Sequence, residues 1–516
     1  MKYIQVQSRT QTSLFPISLE DFIDPSNEVR LIDIFVGSLD LEKFGFELDH
    51  GENGRPAYHP GDLLRLYIYG YLNRIRSSRS LEKECKRNLE VMWLLNSLAP
   101  DHNTISNFRR DNPKAIKKVF RATVKIAQHF NLIGGILLAG DSTKFRAQNS
   151  KKNNYNQKKI DRHLGYIENK LEEYNLAMAE SDGDQQELLK QEIKKQEQRK
   201  ENYHQLSQQL EDSREPQVST SDPDSRQIIT RNNITEVAYN AQTTVDSTHN
   251  LPIDYKVTNT NDSKAMGTMV RRTKSILQTN QFTSLYDKGY HTGSEFQIAY
   301  DLGVKTIVAI PSVAAQAPNP AYNVEHFEYD ILKDYYTCPE GHKLITTGKI
   351  HKAKTYLFKR YTTRACLSCQ AKKECSKAKY GKGIQRSEYQ ELIELNKQRV
   401  KENETYYKRR QAIVEHPYGT IKRQWGFSYV ITKKGIDRAS ADIGLIMVAY
   451  NLRRLFNIIG AKGLKKYLEI ANNWLANKIG QIKGLLIQIR VYIFMVKNEK
   501  VFFNLSQKRL YLTHIL

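Results

Sequence analysis

The chain has 516 residues, and its 79 Lys and Arg against 56 Asp and Glu give a net charge of +23 at 40% hydrophobic composition. That is too long for one ordinary domain and apolar enough to fold, while no uninterrupted apolar run approaches the ~20 residues that span a bilayer; the nearest, Ile443–Ala449 and Leu485–Val496, are short or broken by Gln488 and Arg490. Five unevenly placed cysteines and a first segment, MKYIQVQSRT, without an apolar core argue against a secreted disulfide scaffold, so a large basic cytoplasmic protein facing a polyanion is expected.

Residues 1–132 read as an all-α domain. Leu63, Leu64, Tyr67, Ile68, Tyr71, Leu72 and Ile75 form an apolar stripe at helical spacing, with Pro60 and Asp62 at its start. Ser80 can cap a second helix carrying Leu81, Cys85, Leu89 and Met92. A turn at Pro100 leads to a short helix ending in Arg109 and Arg110, and Asn112-Pro113 separates it from a helix through Ile116, Phe120, Val124 and Ala127. Short helices with an arginine-bearing member resemble a helix-turn-helix, in which Arg109 and Arg110 reach phosphates or guanine edges. An ordinary bundle with solvated arginines fits the same pattern.

Residues 133–313 read as a mixed α/β domain. Ile136–Thr143 is an apolar run turning polar, as a buried strand does, and a lysine- and asparagine-rich loop follows at 149–159. Leu164, Ile167, Leu171, Tyr174 and Met178, then Leu189, Ile193, Leu206 and Leu210, predict an antiparallel helical hairpin over 160–215. Strands at Val237–Asp246 and Leu251–Val257 pair across Ser247–Asn250, and further strands at Phe282–Asp287 and Val304–Ile310 alternate with helices at 263–277 and 293–300. Residues 314–393 interrupt this order with a cysteine-bearing, lysine-rich insertion. Residues 394–460 read as long basic helices, and 461–516 as a basic helical tail.

Three acidic residues stand out by placement. Asp141 and Asp287 end strands, and Glu415 lies in a helical stretch behind Tyr407-Lys-Arg-Arg410. Carboxylates from adjacent strand ends and a facing helix suit hard cations such as Mg²⁺, two of which assist phosphodiester displacement. Each has an ordinary alternative as a turn residue, a cap or a surface ion pair.

The segments Ala139-Gly-Asp-Ser-Thr-Lys144, Leu285-Tyr-Asp-Lys-Gly-Tyr-His291 and Arg410-Gln-Ala-Ile-Val-Glu-His-Pro-Tyr-Gly-Thr-Ile-Lys422 resemble those of bacterial insertion-sequence transposases of the DDE class. The nearest branch is IS-four-like, with a helical N-terminal domain ahead of an RNase H-like core. The resemblance implies a DDE transposase that binds terminal inverted repeats, then cuts and joins double-stranded DNA as a homo-oligomer. It implies Asp141, Asp287 and Glu415 as ligands of two Mg²⁺ ions, Mn²⁺ being an alternative, and Tyr407, Arg410, Lys422 and Lys144 as phosphate contacts. Four residues separate Arg410 from Glu415 where the family signature has three, so Arg409 competes for that role; Lys422 keeps the six-residue interval.

Cys338, Cys366, Cys369 and Cys375 fall in one 38-residue window. Their spacing suits a structural zinc site of two knuckles, with His342 as a substitute ligand, and suits unmetallated thiols equally. Cys85, on an apolar helix face, reads as a core residue.

Overall fold

The computed structural model describes residues 18–48, 56–229, 234–312, 317–460 and 462–470. The chain divides into two units, Met1–Thr123 with Gly444–Leu516, and Val124–Ile443. The predicted tail at 461–516 lies outside the described residues from 471 onward.

The first unit is helical among its described residues. In chain order it holds α1 (Glu28–Gly37), α2 (Leu41–Phe44), α3 (Pro60–Leu72), α4 (Ser78–Arg87), α5 (Leu89–Leu94), α6 (His102–Asp111) and the start of α7 (Pro113–His129). Helix α3 begins with proline at its first position, where no amide donor is needed, and the His59 ring caps Gly61 N at 3.1 Å. Its predicted apolar stripe is buried from Leu63 to Leu72, while Ile75 lies past the helix end and is half-buried, and Tyr67 Oη donates to the Ile105 carbonyl at 2.6 Å. The single helix expected through Leu81 and Met92 is two helices. Asn88 ends α4 and caps α5, its Oδ1 accepting from the amides of Glu90 and Val91 at 3.0 and 3.3 Å. Asparagine competes with helical continuation through such local bonds.

In the second unit a mixed sheet carries the site. Its strands are β1 (Leu137–Arg146), β4 (Arg226–Ile229), β5 (Thr235–Asp246), β6 (Pro252–Thr258), β7 (Thr283–Tyr286) and β8 (Lys305–Val308); the pair β2 (Asn154–Tyr155) and β3 (Val218–Ser219) lies apart. The order is β4-β5-β1-β7-β8, with β6 also on β5. Strands β1, β5 and β6 are antiparallel in succession, and β7 and β8 run parallel to β1. Between β2 and β3 stands the expected hairpin, α8 (Gln157–Ala179) and α9 (Asp184–Ser213). Helices α10 (Met266–Leu277) and α11 (Gly293–Asp301) are the crossovers of the parallel strands.

The cysteine-bearing insertion is a sheet, which the sequence did not suggest. Strands β9 (Glu328–Asp330), β10 (Tyr335–Thr337), β11 (Lys343–Lys352), β12 (Leu357–Thr362) and β13 (Ile384–Ser387) form an antiparallel sheet, with the one-turn helix α12 (Lys372–Cys375) between the last two. Helices α13 (Gln390–Glu402) and α14 (Glu404–Gly419) then return to the main sheet. Ile413 and Val414 of α14 pack on Leu137, Ala139, Val245, Leu285 and Ile307. A last helix, α15 (Ile436–Gly460), corrects the expectation that no apolar segment is bilayer-long: it has the length and composition, but two thirds of its most apolar stretch is buried inside the protein.

Candidate active site

Asp141 does not end β1, as expected, but sits at its middle, because β1 runs on to Arg146 against β5. What ends there is the parallel neighbour. The last register pair of β1 with β7 is Ala139–Leu285, and Asp141 and Asp287 each lie two residues beyond it. Strand alternation turns Ala139, Leu285 and the two aspartates to one face, the face that α14 covers. Gly140 leaves room for the Tyr286 ring on the opposite face. A Cβ there would stand 2.0 Å from the Tyr286 ring.

Asp141 is held from three sides. Its Oδ1 accepts from the Ser142 amide at 2.7 Å, its Oδ2 from Arg410 Nη1 at 3.0 Å, and its carbonyl from Tyr418 Oη at 3.1 Å. Burial raises the pKa of its carboxyl, the Arg410 guanidinium opposes this, and the charge of Asp287 adds to it. Asp287 accepts from the Gly289 amide at 2.9 Å, capping a 3-10 turn at Lys288–Tyr290. Arg410 feels both carboxylates: burial works against its charge, and Asp141, then Tyr407, then Asp287 favour it. Arg410 is therefore paired with the Asp141 carboxylate and set close to the charge of Asp287. Tyr407 packs against the same core.

Glu415 is not gathered with the aspartates. It is exposed, and its Oε1 accepts from Gln411 Nε2 at 2.9 Å on its own helix. Five residues on from Arg410, it lies about 140° round an α-helix from it. Glu415 and Lys422, seven residues apart, do not share a helix face, because the helix does not keep its pitch. Pro417 is accommodated inside α14, but Thr420–Gln424 is a π-turn. It turns Lys422 onto β1, where the ammonium donates to the Lys144 carbonyl and lies 5.2 Å from the Phe145 ring centre. Lys144 in turn donates to Ser142 Oγ at 2.8 Å and to Asp262 Oδ2 at 3.2 Å. Among the described residues no three His, Cys, Asp or Glu side chains stand at the separation of a metal site.

The two arginines assigned to DNA separate. Arg109 is 4% exposed, donates to Tyr71 Oη at 3.0 Å and lies 5.4 Å from the Tyr67 ring centre, so it is a core residue rather than a DNA contact. Arg110 is exposed and paired with Asp111 at 2.6 and 2.7 Å. In the lysine-rich loop, Lys159 is turned inward, donating to the carbonyls of Lys151, Lys152 and Asn154.

Sequence reasoning missed Tyr418 and Thr243, whose hydroxyls hydrogen-bond each other at 2.5 Å beside Asp141. It also missed Asp262, which accepts from Asn240 at 2.7 Å and Gln242 at 2.6 Å besides Lys144. The only sequence signal for Tyr418 was its place three residues after Glu415 in the glutamate-bearing segment. All four insertion cysteines are free thiols.

Residues 17–111 match the model of a transposase domain, DUF772, and residues 337–456 match that of a transposase DDE domain. The second match contains Arg410, Glu415 and Lys422, and stops short of Asp141 and Asp287. No curated protein matches the chain. Among solved structures it is similar to the piggyBac transposase in a cryo-EM synaptic complex with hairpin DNA, at 10% identity over 87% of this chain and 79% of that one; the TM-score of 0.30 is too low to carry an argument. With one transposase model matched in each half of the sequence, the chain carries a transposase domain and a transposase DDE domain, which together indicate a DDE transposase.

Proposed function

We propose that the protein binds the terminal inverted repeats of an insertion sequence and catalyses Mg²⁺-dependent strand cleavage and strand transfer, from an RNase H-like core of the IS-four-like branch. The observation that carries this is that Asp141 and Asp287 each lie two residues beyond the last paired residues of the neighbouring parallel strands β1 and β7, with a helix bringing a guanidinium to Asp141. The succession β1, β5 and β6 antiparallel, then β7 and β8 parallel to β1, with β4 added on β5, supports the core assignment.

The donor set fits a hard cation, since Mg²⁺ is commonly held by one or two carboxylates together with substrate phosphates. Asp141 and Asp287 would hold it, with Glu415 joining from α14 once DNA is bound; the ion would supply charge to the attacking and leaving oxygens. The chain's own groups do the positioning. Tyr418 fixes the Asp141 backbone, and Arg410 favours the charged carboxylate until phosphate competes for the guanidinium. Arg410, Tyr407, Lys144, Lys422 and the exposed Arg110 are phosphate contacts in this reading, with affinity falling steeply with salt. Two element ends are processed together, so the working form is a homo-oligomer on DNA, in the cytoplasm at the nucleoid.

The test is to incubate the full chain with Mg²⁺, labelled DNA carrying the repeats that flank its coding region, and a supercoiled target plasmid. Joined products support the proposal. Cleavage without joining reduces the protein to a nuclease and sinks strand transfer.

A further inference from the structure

The insertion between β8 and α13 has little to hold it together. Its buried apolar cluster is five residues, Phe327, Tyr336, Leu344, Tyr361 and Ile384. Strand β11 spans ten residues and buries only Leu344. Small modules with so little core are commonly stapled by a metal or by disulfides, and here every cysteine is a free thiol.

The four cysteines come from three separate segments and line one cavity of about 20 Å³, together with His342 and Lys382. That exceeds the roughly 10–15 Å³ that one water-sized particle needs. Each segment is shaped toward it. After Cys338 the chain turns sharply at Gly341, with φ of +77°. The Cys338 amide donates to the His342 carbonyl at 2.9 Å, and the His342 amide donates back to Cys338 Sγ at 3.3 Å, which fixes the sulfur at the turn. Cys366 lies within a 3-10 turn, Arg364–Leu367, and Cys369 just after its cap, with two residues between them. Cys375 ends α12 and packs on the apolar cluster with Cys338. Opposite, Gly381 at φ of +88° lies so close that a Cβ would stand 2.2 Å from Cys366 Cβ. A side chain there would drive Cys366 out of place.

We propose that Cys338, Cys366, Cys369 and Cys375 bind one zinc ion as a four-thiolate structural site that orders the insertion. Zinc accepts four thiolates in tetrahedral array at ~2.3 Å. Binding exchanges four S–H protons for four Zn–S bonds, with no change of oxidation state. The thiols do not yet stand at ligand separation, so binding closes the cavity around the ion. Lys382 on the wall offsets part of the negative charge of the closed site. The ion is remote in role from phosphodiester chemistry, so the proposal stands or falls independently of strand transfer.

The test uses the untagged full chain purified without chelator. Elemental analysis should find one zinc per chain, and exchange for cobalt should give the visible spectrum of tetrahedral thiolate-bound Co²⁺. Cys366→Ser with Cys369→Ser should lose the metal, whereas Cys85→Ser and His342→Ala should keep it. A folded chain with no zinc and no cobalt spectrum overturns the proposal, as does full zinc in the double variant or its loss in His342→Ala. If the double variant aggregates, the cobalt spectrum of the unsubstituted chain decides.

Discussion

Arg410→Gln tests the account of the acidic pair. In the parent protein Arg410 is 14% and Asp141 21% exposed, 3.0 Å apart. Breaking a fully buried pair by removing one partner costs about 3–5 kcal/mol. With a fifth of the carboxylate still reached by water, about 2 kcal/mol is expected at neutral pH, or ~4 °C in unfolding temperature for a unit of this size. The effect carries a pH signature. Asp141 has a raised carboxyl pKa, through burial, against Arg410, and with Asp287. A raised group contributes stability that is fully present below its unfolded value and is lost as pH rises through its folded value. Removing Arg410 raises that folded value further, so the deficit of the variant is full at pH 8 and shrinks as pH is lowered toward the usual carboxylate range. A double-mutant cycle with Asp141→Asn, read by thermal and urea unfolding at several pH values, isolates the pair. A coupling energy near zero at pH 8, or one unchanged as pH falls, refutes the reasoning.

Gly140→Ala places a methyl 2.0 Å from the buried Tyr286 ring; a loss of about 1–3 kcal/mol is expected from overpacking, and unfolding at parent stability would show that the Tyr286 ring does not pack against Gly140. Arg109→Ala should destabilise by ~2 kcal/mol or more by removing a buried hydrogen-bonded side chain. It should leave the salt dependence of DNA binding unchanged in the protein that remains folded. Arg110→Ala should change stability by less than about 0.5 kcal/mol, yet reduce the salt slope of binding by about one; a reversal of these two results would exchange the roles given to the arginines.

Much of the site's frame was legible because its signals are local. An apolar run that turns polar at Gly140-Asp141, and another that does so at Asp287, mark buried strands reaching a polar rim, and the structure places the two side by side. The hairpin α8–α9 followed from its 3–4 spacing. What stayed hidden depends on groups far apart in the chain. Arg109 and Arg110 look alike in sequence, and only the ring faces of Tyr67 and the hydroxyl of Tyr71 make one of them a core residue. The π-turn at Thr420–Gln424 has no signature in composition, yet it separates the directions of Glu415 and Lys422. The sheet of the insertion was missed because its strands are short or, in β11, mostly exposed, so alternation is faint.

The most direct test of the central claim is strand transfer by Asp141→Asn and Asp287→Asn, measured beside the parent with element-end DNA, target plasmid and Mg²⁺, and with DNA binding followed on the same samples. Both variants should bind the ends as the parent does and form no joined product, and Glu415→Gln should behave likewise if α14 supplies the third carboxylate. Joined product from either aspartate variant at a rate near the parent's would contradict the assignment of the acidic pair.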